Sequence, residues 1–138
     1  MVAYEARRRG LNVTALGYVN SNDSVSFKLS KDQRLAWEKG TPTILNSNKE
    51  KITMKALNNA TQQQGRYFVG WDNTKADGHI IIAERMKDKS LVFYDPQIGE
   101  YINPNLVIAS SIGMDFSIMR VDNLTFNTKI VSQILRII

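Results

Sequence analysis

The sequence predicts an α+β domain, with N-terminal helices packed on an antiparallel β-sheet and a helix closing the chain. Three observations predict it. Helix-forming segments crowd the first 65 residues, with apolar positions at helical spacing. From residue 66 the chain turns to runs rich in Ile, Val, Phe and Tyr, separated by short polar turns. The last stretch, NTKIVSQILRII, returns to a helical pattern. Helices first and strands after is the order of an α+β fold rather than an alternating one.

Residues 2–9 read as a short helix of Ala, Glu and Arg, with Gly10 just past its end and Arg7, Arg8 and Arg9 complementing the dipole of the last turn. No Ser, Thr, Asp or Asn stands ahead of it to cap it, so the domain, 1–138, reads as cut at its N-terminus. LNVTALGYV follows as an extended piece and NSNDS as a turn. SKDQRLAWEK reads as a helix capped by Ser30 and stopped by Gly40, and TPTILNSN as a connector. The best-marked helix is SNKEKITMKALNNATQQQG, capped by Ser47 or Asn48 and ended by Gly65. RYFVGWD, HIIIAERM, SLVFYD and FSIMRVD read as strands, with KDKS turning the second into the third. The unbroken apolar stretch from Ile80 to Ala83 predicts a central strand covered on both faces. The closing helix is capped by Asn127 or Thr128, with Ile130, Val131, Ile134 and Leu135 inward.

The totals exclude several function classes. The 138 residues suit one domain, and there is no cysteine, so disulfides, zinc–thiolate sites and catalysis by a thiol of this polypeptide are all ruled out. With a single histidine and no loop of calcium spacing, neither a metal nor a cofactor is expected. No apolar run approaches the roughly 20 residues that span a bilayer, and MVAYEARRRG places its charges after its apolar stretch, the reverse of a signal peptide. No membrane partner is expected. The net charge of +5 is uneven: residues 1–60 hold ten Lys/Arg against five Asp/Glu, residues 61–138 eight of each. A basic half attracts nucleic acid, acidic protein or anionic lipid, but a solvated surface explains it more simply, and no nucleic-acid motif accompanies it.

The chemistry-bearing residues sit in GHIIIAERMKDKSLVFYDPQIGEY, residues 78–101. His79 alone reads as a surface or packing residue, and Asp95 alone as a turn residue before Pro96. Together they say more. The turn centres on Asp88, nine residues after His79 and seven before Asp95, so both lie at the open end of one antiparallel hairpin. A bulge or a diagonal pairing absorbs the difference. A carboxylate beside an imidazole is the orienting half of a nucleophilic triad: it fixes the tautomer and steadies the imidazolium. The absent third group is a thiol or hydroxyl, and a thiolate works best at a helix N-terminus. Ser90, at the turn, and Thr14, past the first helix, are not placed to substitute.

VAYEARRRGLNVTAL, GHIIIAE, VFYDPQIGEY and MRVDNLTFN carry a resemblance over most of the chain. They resemble the papain-fold toxin family, the predicted glutamine deamidases at the ends of bacterial polymorphic toxins and in phage head-morphogenesis proteins. That family's first helix opens with the catalytic cysteine, two aliphatic residues and Ala-Tyr-Glu. Met1, Val2, Ala3, Tyr4 and Glu5 match all but the cysteine, which falls one position before Met1. The resemblance implies a papain-like fold with His79 as general base, Asp95 as its orienting acid and Gln97 as a polar residue holding substrate or loop. It implies a Cys-His-Asp deamidase of a target protein's glutamine, a toxin or effector met by an immunity protein. Such a domain acts in a target cell's cytoplasm or belongs to a virion. Without the cysteine this polypeptide is expected to be inert. A non-catalytic module that binds a target or immunity protein is the alternative.

Other residues have plainer readings. Trp37 and Trp71 read as core or groove wall rather than ligand platforms. Asp72 and Asp77 flank a polar loop before His79 and read as the mouth of a substrate site or equally as a solvated turn, and Asp122 reads as a turn or capping residue. Arg7 to Arg9 read as dipole compensation in solvent, with an acidic partner as the functional alternative.

Overall fold

The structure, a computed structural model, describes residues 1–15, 36–39, 43–45, 53–72, 79–110 and 115–138. The chain forms two compact units, one of Met1–Gly40 with Leu124–Ile138 and one of Thr41–Asn123. Helices and antiparallel strands mix as an α+β fold requires.

In the first unit, α1 spans Val2–Arg8 and buries Val2, Ala3, Glu5 and Ala6, a stripe at helical spacing. Met1, at its N-cap, makes no side-chain cap bond. Gly10, at φ +88°, takes the left-handed conformation that lets the chain leave the helix. Strand β1, Val13–Ala15, pairs antiparallel with a strand at the chain's other end, Leu135–Ile137. Arg7 and Arg8 are exposed as expected, but Arg9 is not a solvent residue. Its Nε donates to the fully buried Glu5 at 3.0 Å, and its guanidinium lies over Phe126 at 4.5 Å and Trp37 at 5.2 Å. A flat, weakly hydrated cation stacks on aromatic rings more readily than an ammonium does.

The helix predicted for SKDQRLAWEK is corrected where it is described: Ala36–Lys39 are not helical, and buried Trp37 bridges to Phe126 and stacks on it at 4.8 Å. Ser30 and the rest of that segment lie outside the described residues. The closing helix, Thr128–Ile134, stops one turn short of the prediction and passes directly into Leu135–Ile137. Asn127 sits at its N-cap without a side-chain bond. Ile130, Val131 and Ile134 are its half-buried positions, none fully buried, and Leu135, expected inward on the helix, is half-buried at the start of the strand.

The second unit holds a six-stranded antiparallel sheet. Strand β2 is Thr43–Leu45, inside the segment read as a connector. Helix α2, Met54–Ala60, starts later than predicted: Thr53 caps it, its Oγ1 accepting the Ala56 amide at 3.1 Å. Ser47 and Asn48 lie outside the described residues. Gly65, expected to end that helix, opens β3 (Gly65–Asp72) instead, where a Cβ would come within 2.6 Å of both Arg120 Nε and Asp122 Oδ1. The predicted strands follow as β4 (His79–Arg85) and β5 (Leu91–Asp95). Two elements the sequence reading missed come next, β6 (Glu100–Ile102) and α3 (Pro104–Ser110). Then come β7 (Asp115–Arg120), in the first unit α4 (Thr128–Ile134) and finally β8 (Leu135–Ile137). The sheet order is β2-β7-β3-β4-β5-β6.

Alternation along the strands puts Tyr67, Val69, Trp71, Ile81, Ala83, Phe93 and Ile118 on one face, where they form the core with Leu57 of α2 and Val107 and Ile108 of α3. Each fully buried aliphatic or aromatic side chain there contributes about 1.5–3 kcal/mol. The other face also buries Phe68, Ile82 and Met119, so β4 is covered on both faces, as its apolar run predicts.

Arg85 ties α2 to β4. Its guanidinium donates to Thr61 O at 2.9 Å, Asn58 Oδ1 at 3.0 Å and Thr61 Oγ1 at 3.2 Å, and to Lys89 O at 2.9 Å. These bonds satisfy carbonyls at the helix C-terminus and set a cation at its negative end. Arg85→Leu is expected to cost about 2–3 kcal/mol, read as a lower urea midpoint with an unchanged slope.

Candidate functional site

The β4–β5 hairpin turns through Lys87, Asp88 and Lys89. Met86 N–H donates to Ser90 O at 2.8 Å and Lys89 N–H to Met86 O at 2.9 Å. Lys89 takes φ 72°, and the Asp88 carboxylate accepts from the Ser90 amide and hydroxyl. This three-residue loop fixes the register that pairs Ile82 with Tyr94 and Ala83 with Phe93. Continued by one pair, that register sets Asp95 opposite Ile81. His79, two residues earlier on the same face, is therefore the diagonal neighbour of Asp95.

The side chains meet: His79 Nε2 and Asp95 Oδ2 are 2.6 Å apart. The Asp95 side chain is 7% exposed and that of His79 33%. The other carboxylate oxygen, Oδ1, accepts the Gln97 amide at 2.9 Å, and the Gly99 amide closes the turn on Asp95 O at 2.8 Å. Gly99, at φ +70°, takes a conformation other residues adopt at a cost. Asp-Pro-Gln-Ile-Gly is thus a loop that holds one carboxylate oxygen and leaves the other for the imidazole. As a carboxylate, Asp95 only accepts, which assigns the shared proton to Nε2 and leaves Nδ1 as the basic nitrogen.

Trp71 flanks the imidazole on the other side. It pairs with His79 across β3 and β4, and the two rings meet edge-on at 5.5 Å. Trp71 belongs to the core, so one side of His79 is dry wall. From the sequence, Trp71 reads as core or groove wall rather than as a ligand platform, with no tie to His79. The signal that would have placed it here is the β3–β4 register, which sets Trp71 opposite His79.

No protein-family model matches this chain. No curated protein matches it either.

Of the predicted site residues, the fold brings His79 and Asp95 into contact, and Gln97 joins them through its main chain while its side chain is exposed. Ser90 is at the turn end of the hairpin, and Thr14 belongs to the first unit. Asp77 lies outside the described residues. Among the described residues, no three His, Asp or Glu side chains gather as metal ligands, and no helix is long and apolar enough to cross a membrane.

Asp122 lies at the end of the sheet away from His79. Its Oδ1 accepts the Arg66 amide at 3.0 Å and Arg120 Nε at 2.9 Å. Burial is the largest single effect on its pKa and raises it. The bonds from Arg120 and the Arg66 amide, with the arginine's charge, outweigh burial and hold the carboxyl below its ordinary value. A depressed folded-state pKa gives stability that is present above the unfolded value of about 3.9 and lost as pH falls through the folded one. Asp122→Asn is therefore expected to be less stable than the parent at neutral pH. That difference should shrink below about pH 3.9, as read by urea titrations across the acid range.

Proposed function

We propose that this chain is the body of a papain-like cysteine amidohydrolase domain that deamidates a glutamine in a target protein, and that it lacks its nucleophile. The observation that carries the reading is the 2.6 Å bond between His79 and Asp95, with the acid buried and its second oxygen tied down. The resemblance in GHIIIAE and VFYDPQIGEY supplies the reaction class. A thiolate one position before Met1 attacks the carboxamide carbon. The tetrahedral oxyanion collapses, and ammonia leaves with a proton from the His79 imidazolium. Water, deprotonated by His79, then hydrolyses the thioester to glutamate and returns the thiol. Asp95 keeps the imidazole in the tautomer this cycle needs. The biological setting that follows is a toxin or effector acting in a target cell or carried by a virion, with an immunity protein as a second partner.

The chain as it stands has no cysteine. That observation favours a second reading, a non-catalytic module that keeps the fold to bind a target or immunity protein. Placing a cysteine immediately before Met1 and assaying ammonia release separates the two. Release that disappears with His79→Ala supports the first, and silence with partner binding retained supports the second.

A further inference from the structure

We propose that β6 is a docking edge on which an extended segment of the target protein adds as a further, antiparallel strand. That segment carries a basic residue opposite Glu100 and an apolar residue opposite Tyr101. The inference rests on the deamidase reading for what the partner is, but the surface does not depend on any nucleophile.

Strand β6 is an edge of the six-stranded sheet and pairs only with β5 among the described residues. Free edges are usually blunted by short length, charged side chains, proline, a bulge or a covering element, and β6 has the first two, being three residues long and carrying Glu100. This one presents Tyr101, 74% exposed, whose ring meets Tyr94 edge-on at 5.1 Å. Ile98, before the strand, is 58% exposed, and Leu106, after it, 60%. Of the exposed large apolar residues described in this unit, only Met86 lies elsewhere. Concentration of such residues in one short segment marks a contact surface rather than scattered exposure.

Charge says what the partner carries. The chain has 18 Lys and Arg, yet residues 90–119 contain none. The charged side chain of β6 is Glu100, exposed and in register with Asp95, so it stands on the sheet face that carries the His79–Asp95 pair. An exposed carboxylate in a cation-free stretch attracts a Lys or Arg and disfavours an acid. Side chains of an added strand alternate as those of β6 do, which gives basic opposite Glu100, apolar opposite Tyr101 and apolar opposite half-buried Ile102. A docked strand lies about 14 Å from β4, which carries His79, three strand spacings. The chain leaving it reaches the imidazole within a few residues.

The experiment uses the isotopically labelled chain as it exists and a capped peptide, Thr-Val-Tyr-Lys-Thr, with a Glu-for-Lys counterpart. The Lys peptide is expected to shift the amide resonances of Ile98 to Ile102 and Leu106 and to bind about threefold to tenfold tighter than the Glu peptide. Glu100→Lys, at an exposed position that leaves the rest of the spectrum in place, is expected to reverse that preference. Shifts that map to other strands, a preference that Glu100→Lys leaves unchanged, or no binding of either peptide would overturn the proposal. So would the same resonances moving on dilution without peptide, which assigns the edge to a second copy of the chain. None of these readouts needs a thiol, so failure of the docking edge is distinguishable from failure of the deamidase reading.

Discussion

A chain carrying one added cysteine before Met1 is expected to release ammonia from a glutamine-bearing protein, and His79→Ala is expected to lower that release by about 10²–10⁴-fold. General acid–base assistance by a positioned imidazole is worth about that much. In this chemistry His79 works twice, protonating the leaving ammonia and deprotonating the attacking water. The thiol itself gives a second readout. An isolated cysteine titrates near about 8.5, and a neighbouring imidazolium holds the thiolate at lower pH. Alkylation of the added cysteine is therefore expected to stay fast below neutrality, and His79→Ala should return it to the profile of an ordinary thiol. No ammonia together with an ordinary alkylation profile would discard the amidohydrolase reading and leave the interaction module.

Asp95→Asn is expected to cost about 10⁴-fold in the same assay, with little change in stability. The replacement keeps a carbonyl-type oxygen to accept the Gln97 amide, so the Asp-Pro-Gln-Ile-Gly loop holds its shape. Its other end is an NH₂ group, a donor where Oδ2 accepted. The imidazole must then present a lone pair at Nε2 and carry its proton on Nδ1, the wrong tautomer for a base. The chain has a single histidine, so this inversion is readable by nitrogen NMR without any nucleophile. Asp95→Ala differs: it strips the loop amide of its acceptor as well and is expected to destabilise the fold by about 1–3 kcal/mol. An Asp95→Asn chain that keeps the parent tautomer would show that the carboxylate does not set it.

Much of the second unit was legible because its information is local. The Lys87–Asp88–Lys89 turn fixes a register, the register fixes which residues face one another, and His79 and Asp95 follow as diagonal neighbours. Ile80 to Ala83 announced burial on both faces by composition alone. What was not legible depends on partners far along the chain. Thr43–Leu45 has no strand-like run of its own and is a strand because β7 pairs with it. Leu135–Ile137 reads as the end of an amphipathic helix and is drawn out as a strand by β1, more than a hundred residues earlier. The sequence suggests Ser47 or Asn48 as the cap, whereas Thr53 caps α2 and Leu57, one turn on, packs into the core. At three residues, β6 is too short for periodicity to declare it.

The charged residues show the same division. Glu5 and Arg9 have the i, i+4 spacing of a solvent-exposed helical pair, yet Glu5 is fully buried and Arg9 lies on Trp37 and Phe126. Gln97 drew notice for its side chain, and its part in the loop is played by its amide.

By itself the sequence determined the residue types, the hairpin and the meeting of imidazole and acid, because a tight turn propagates its register a few residues in each direction without outside help. Tertiary structure decided which polar groups are buried, where helices give way to strands, and which strands form the edges of the sheet. Those outcomes depend on the free energy of contacts between distant segments, which no local window of sequence contains.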